Sequence, residues 1–144
     1  MSLSVKEAVL TIEAVRDEIG AVEDFLDELM DGVPCTMEEK VKLRIVAEEI
    51  FVNIASYAYQ DAGGKATIRG RASSDPPCSV TLIFEDRGKP FDPLGKAPPD
   101  LTPDVRKRAA GGLGIFLVRN LVSEIYYDHR DGKNILTVKK NVSG

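Results

Sequence analysis

The apolar positions of the chain change period several times, and each change marks an element. Residues 3–12 read as a strand leading into a helix. From Val15 the apolar residues Ile19, Val22, Leu26, Leu29 and Met30 recur at helical spacing, and Asp31-Gly32 ends that run. Thr36 offers an N-cap, and Glu39 three residues later completes a capping box. A second helix is therefore predicted from 37 to about 59, before Asp61-Ala62-Gly63-Gly64 turns the chain. Two strands follow at 66–71 and 78–84, joined by a turn rich in Ser, Asp and Pro. Residues 87–110 hold Pro90, Pro93, Pro98, Pro99 and Pro103 with little periodicity, and so long an irregular stretch is usually functional or disordered. Gly111-Gly112-Leu113-Gly114 then opens an apolar helical segment over 115–122. The segments 124–130 and 133–140 around Asp131-Gly132 read as a hairpin. Helices and strands mixed around a sheet of four or five strands predict an α+β sandwich, with no repeat and no linker dividing the chain.

The length, 144 residues, suits one domain. Hydrophobic residues at 43% and charged residues at 29% are the balance of a folded chain rather than a disordered one. No apolar run approaches a membrane span, and the N-terminus lacks the basic start and apolar core of a signal peptide, so a cytoplasmic domain without membrane contact is expected. Cys35 and Cys78 match neither a disulfide framework nor a metal site. Charge is uneven. Residues 1–60 carry 5 Lys/Arg against 13 Asp/Glu, and residues 61–144 carry 14 against 10. The acidic half disfavours nucleic acid as the partner; the basic half can receive a small anion.

The second predicted helix is apolar nearly all round, which predicts extensive burial. Glu49 and Asn53 fall one turn apart, roughly 40° from each other on a helical wheel, while Glu48 points about 100° away from Glu49. Such a pair is either a wet helix edge or faces a polar ligand or metal. In the second case Asn53 would give an oxygen to Mg²⁺, and Glu49 would orient or deprotonate an attacking group. Downstream, Asp86-Arg87-Gly88-Lys89-Pro90-Phe91 ends a strand. Asp86 could accept the amino group of an adenine, and Gly88 could let the backbone approach a flat base; a plain strand-ending turn is the alternative. Gly111-Gly112-Leu113-Gly114 before a helix offers backbone N–H groups at a positive helix end, or serves as a hinge. Arg106, Lys107 and Arg108 just upstream are candidates for phosphate oxygens or a solvated basic cluster.

The segments Val46-Ala47-Glu48-Glu49-Ile50-Phe51-Val52-Asn53, Asp86-Arg87-Gly88-Lys89-Pro90-Phe91-Asp92-Pro93 and Gly111-Gly112-Leu113-Gly114-Ile115-Phe116-Leu117-Val118 occur in that order. Together they resemble the N, G1 and G2 boxes of the ATP-binding superfamily of gyrase, Hsp90, histidine kinases and MutL. The resemblance is strongest to the anti-sigma-factor serine kinases of bacterial partner-switching systems. It implies a two-layer fold of the Bergerat type, a mixed sheet with helices on one face, and ATP held beneath a lid at 92–110. It also implies Glu49 as the catalytic glutamate, Asn53 as the magnesium ligand, Asp86 as the adenine partner and Gly88 as the G1 glycine. Gly112, Leu113 and Gly114 would lie in the phosphate turn.

The activity implied is transfer of the ATP γ-phosphate to a serine of an anti-sigma-factor antagonist of the STAS type. A sigma factor as second partner and a homodimer are implied as well. Tyr57-Ala58-Tyr59 stands where relatives often have His-Ala-Tyr, and Ser123-Glu124 where they often have Met-Asp. An ATP-binding regulatory module without phosphotransfer is the rival reading. Phe91 is expected in core or hinge packing, Tyr126 and Tyr127 as ordinary strand content, and His129 at a surface or turn.

Overall fold

The structure is a computed structural model, and it describes residues 5–59, 63–95 and 112–142. Strand β1 spans Val5–Glu13, and a 3-10 turn, Arg16–Glu18, leads into helix α1, Ile19–Met30. Val15 is extended, so the helix begins at Ile19 rather than at Val15. Gly32, with φ +83°, takes the chain past the end of α1 through a conformation that a Cβ would strain. Helix α2 spans Met37–Tyr57. Its start is the expected capping box: Thr36 Oγ1 accepts from Glu39 N at 3.1 Å, and Glu39 Oε1 accepts from Thr36 N at 2.8 Å. The remaining elements are β2 Lys65–Ser73, β3 Ser79–Asp86, α3 Gly112–Leu121, β4 Glu124–Arg130 and β5 Lys133–Asn141.

The strands form one sheet in the order β1-β2-β3-β5-β4, with antiparallel pairing at every described interface. The α+β sandwich is as expected, but the sheet is antiparallel rather than mixed. The reason is the placement of β5: the crossover through α3 leaves β3 and β4 pointing the same way, and β5 lies between them, so no parallel pair forms. One face of the sheet is packed and the other solvated, which gives β2 and β3 strict alternation of buried and less buried residues. Ile68, Val80, Leu82 and Phe84 point into the core to meet Leu26 and Leu29 of α1 and Val46, Ile50 and Phe51 of α2. Fully burying side chains such as Phe51 and Phe84 contributes about 1.5–3 kcal/mol each.

Helix α2 is less enclosed than its composition predicts. Leu43, Val46, Ala47, Ile50, Phe51, Asn53 and Ile54 are buried, while Val41 is 48% and Met37 73% exposed. Only the half of the helix that meets the sheet and its two helical neighbours is covered. Among the described residues no helix is long and apolar enough to cross a membrane.

Candidate functional site

Helix α2 and strands β3, β4 and β5 line a narrow cavity of about 40 Å³ that opens to solvent. Ile50, Ile54, Phe84, Leu136 and Pro93 make its walls largely apolar, and Asn53, Asp86 and Asn134 supply the polar groups. All three of these polar residues are buried. Apolar walls with a few convergent polar groups are the usual make-up of a small-molecule site.

Asn53 reaches the cavity because α2 turns its covered half inward there. Its Oδ1 is buried without a hydrogen-bond partner among the described residues. Buried acceptors are almost always satisfied, by protein, water or ligand, so this oxygen is a candidate ligand donor at the cavity. Glu49, one turn earlier, is half-buried and is not among the described residues lining the cavity. Glu48 points away from it toward α1, as the wheel predicts. Its hydrogen bond with Glu23, with burial and repulsion from Glu23 and Glu49 adding and Arg44 opposing, pushes its carboxyl up to about 7.

Asp86 is the last residue of β3 and lies directly opposite Asn134 of β5. Its Oδ1 accepts from Gly88 N at 2.9 Å and from Asn134 Nδ2 at 2.9 Å. Asn134 Nδ2 also donates to the Lys89 carbonyl at 2.9 Å, while its Oδ1 accepts from Phe91 N at 3.1 Å and from the Tyr127 hydroxyl. Burial raises the Tyr127 hydroxyl above its ordinary value; Asp92, Asp86 and Asp128 push the same way and the Phe91 backbone opposes. Tyr127 therefore keeps the proton it donates. Phe91 and Tyr57 stack with ring centroids 6.1 Å apart and line the cavity mouth.

Gly88 lies close against the end of α2: a Cβ there would lie 2.1 Å from the Ala58 carbonyl oxygen. The same carbonyl accepts from Lys89 N at 3.0 Å. Tyr59 finishes this junction: its hydroxyl donates to the Lys65 carbonyl at 2.6 Å and accepts from Arg87 N at 2.7 Å. The helix ends at Tyr57 rather than near 59, with Ala58 as a C-cap of helical conformation whose N–H still donates to the Ile54 carbonyl.

Gly112, Leu113 and Gly114 form the first turn of α3 itself rather than a turn ahead of it. The helix thus starts three residues earlier than the apolar run at 115. Arg106, Lys107, Arg108 and Gly111 lie outside the described residues, as does the predicted lid beyond the 3-10 turn Pro93–Gly95. His129 is exposed on β4, and Cys35 and Cys78 are free thiols. Sequence reasoning overlooked Asn134 and Tyr127 as site residues. The available signal was an Asn at the start of a strand otherwise rich in β-branched and apolar residues.

Comparison with known proteins agrees with this geometry. The pattern of the histidine kinase-like ATPase domain matches residues 12–140. The serine-protein kinase RsbW of Bacillus velezensis is 27% identical over 96% of this chain and 88% of its own length. RsbW of Bacillus subtilis is 26% identical over 90% of this chain and 82% of its own. The serine/threonine-protein kinase BtrW of Bordetella bronchiseptica is 30% identical over 67% of this chain and 66% of its own. Among solved structures, one of RsbU and RsbW domains from Mycobacterium tuberculosis superposes with a TM-score of 0.67 at 17% identity. It covers 96% of this chain and 33% of that one, and thereby shows the shared fold. With a five-stranded sheet, helices on one face and a match spanning residues 12–140, the chain belongs to the histidine kinase-like ATPase domain family.

Proposed function

We propose that this protein is an Mg-ATP-dependent serine kinase of a partner-switching system. It phosphorylates an anti-sigma-factor antagonist of the STAS type and holds a sigma factor while that antagonist is phosphorylated. A cytoplasmic homodimer belongs to the same reading. The observation that carries the nucleotide assignment is the buried Asn53 Oδ1, without a partner among the described residues, on a residue lining the same cavity as Asp86. An oxygen donor of this kind fits Mg²⁺, which takes oxygen ligands and shares them with phosphates. The relatives named RsbW and BtrW support the serine-kinase part.

In this reading Asp86 accepts from the adenine amino group, and Ile50, Ile54, Phe84 and Leu136 form the apolar surroundings of the base. The first turn of α3 offers N–H groups at a positive helix end to the phosphates, with Gly112 and Gly114 keeping that backbone open. Arg106, Lys107 and Arg108 serve as lid cations. Glu49 orients the acceptor hydroxyl and takes its proton. Bound Mg²⁺ would neutralise charge on the phosphates during transfer.

Titration with ATP in the presence and absence of Mg²⁺ tests the site. Wild type is expected to bind in a magnesium-dependent manner, and Asn53→Ala and Asp86→Ala to lose binding. Absence of binding by folded wild type overturns the assignment. Binding without phosphate transfer to any STAS-type antagonist would leave an ATP-dependent regulatory module.

A further inference from the structure

We propose that Asn134 is the positioning residue that makes Asp86 distinguish an amino from an oxo group on the purine; this rests on the nucleotide reading of the cavity. Asp86 Oδ1 is held by two N–H donors, Gly88 N and Asn134 Nδ2, both at 2.9 Å. Both bonds go to one oxygen of the carboxylate, so base recognition falls to the second. That oxygen is acceptor-only. It takes a bond from a 6-amino group and meets a 6-oxo group acceptor against acceptor.

The anchor works only while the Asn134 amide keeps its orientation, and four partners fix it. Nδ2 donates to Asp86 and to the Lys89 carbonyl; Oδ1 accepts from Phe91 N and from Tyr127. Turning the amide over would set its oxygen against two acceptors and its nitrogen against two donors. Asn134 also ties Asp86 to Lys89 and Phe91, so the carboxylate that reads the base and the loop whose Phe91 lines the cavity share one side chain.

The test is the ratio of dissociation constants for Mg-ATP and Mg-ITP, which carry 6-amino and 6-oxo groups; titration of their common phosphates cancels in the ratio. It is measured at pH 6 and pH 7.5 on wild type and on Asn134→Asp, with melting temperature as the check on folding. The substitution is nearly isosteric but replaces the donor with an acid beside Asp86, near Tyr127, Asp92 and Asp128. The two carboxyls then share one proton at the lower pH and repel each other as it leaves.

Wild type is expected to prefer ATP by about ten- to a hundred-fold, the worth of one buried charged hydrogen bond, with the same ratio at both pH values. The folded variant is expected to lose at least about ten-fold of that ratio, more at pH 7.5 than at pH 6. A purely packing role for Asn134 would lower both affinities and leave the ratio alone, and that result overturns the proposal. Should the variant not fold, Tyr127→Phe removes one of the four partners fixing the amide and is expected to lower the ratio about three-fold. An unchanged ratio there also overturns the proposal. Failure of wild type to bind either nucleotide would instead sink the nucleotide reading beneath it.

Discussion

Gly88 faces the carbonyl of Ala58 so closely that a Cβ would sit 2.1 Å from the oxygen, well inside contact distance. The neighbour is backbone at the end of α2, anchored by the Lys89 N bond and by Tyr59, and it has no flexible end to move aside. Gly88→Ala is therefore expected to push the loop after β3 away from α2. Overpacking of this kind costs about 1–3 kcal/mol. A thermal melt and an ATP titration check it: both stability and affinity should fall, because the displaced loop carries the Gly88 N–H that holds Asp86.

Asn53→Leu should move stability and function in opposite directions. Leucine is close in size and removes a buried acceptor that has no hydrogen-bond partner among the described residues. Relief of that penalty is worth about 1–3 kcal/mol, or a few degrees in melting temperature without nucleotide. The same variant should lose magnesium-dependent ATP binding and the rise in melting temperature that the proposed site predicts for wild type with Mg-ATP. A fall in the melting temperature of the nucleotide-free variant would count against an unsatisfied acceptor.

The Glu23–Glu48 contact between α1 and α2 predicts a pH dependence of stability with a definite sign. Glu48 has its carboxyl raised to about 7, first by the hydrogen bond with Glu23, and in the unfolded chain it titrates near ~4.3. Between those values the folded protein binds more protons than the unfolded one. Stability from this group is therefore full below about 4.3 and declines as pH rises toward and through 7. Glu48→Gln keeps a donor for Glu23 and cannot ionise. Melting temperatures at pH 5 and pH 8 should show a decline in wild type that is smaller in the variant.

Glu49→Gln separates chemistry from binding. Glu49 is half-buried on α2 and is not among the described residues lining the cavity, so its loss should leave ATP affinity within about two-fold. In the proposed reading Glu49 is the general base, and removal of such a group typically costs about 10²–10⁴ in rate. Phosphate transfer to a serine-bearing antagonist, followed with labelled ATP, should fall by that order. Equal loss of binding and transfer would assign Glu49 to the nucleotide rather than to the acceptor.

What the sequence made legible was local. The Thr36–Glu39 capping box, the helical spacing of Val22, Leu26 and Leu29, and the Asp131-Gly132 turn each involve residues within a few positions of one another. Asp86 and Asn53 were legible as candidates because each sits in a recognisable short motif. Asn134 was not, since its partners lie 43 to 48 residues away at Phe91, Lys89 and Asp86, and only the β3–β5 register brings them together. Tyr127 was hidden because the cavity it lines is assembled from α2, β3 and β5 as well as its own strand. Sheet direction was hidden too, because antiparallel pairing of β3 with β5 depends on which strand lies between β3 and β4. The exposure of Val41 follows from where neighbouring helices pack, which composition does not encode.

The β4–β5 turn is two residues long, Asp131 and Gly132, both with positive φ, and Asn134 lies just beyond it. Side chains along a strand change sides at every step, so the contents of the cavity are a matter of parity. Unless the Arg130–Lys133 pair opens to make a three-residue loop, deleting one residue of this turn makes either β4 or β5 slip by one. If β5 slips, Asn134 leaves the cavity; if β4 slips, Tyr127 does. Deleting an even number preserves the faces on both strands. Length variation in this hairpin should thus be filtered by odd and even counts, through a turn that need not touch a ligand.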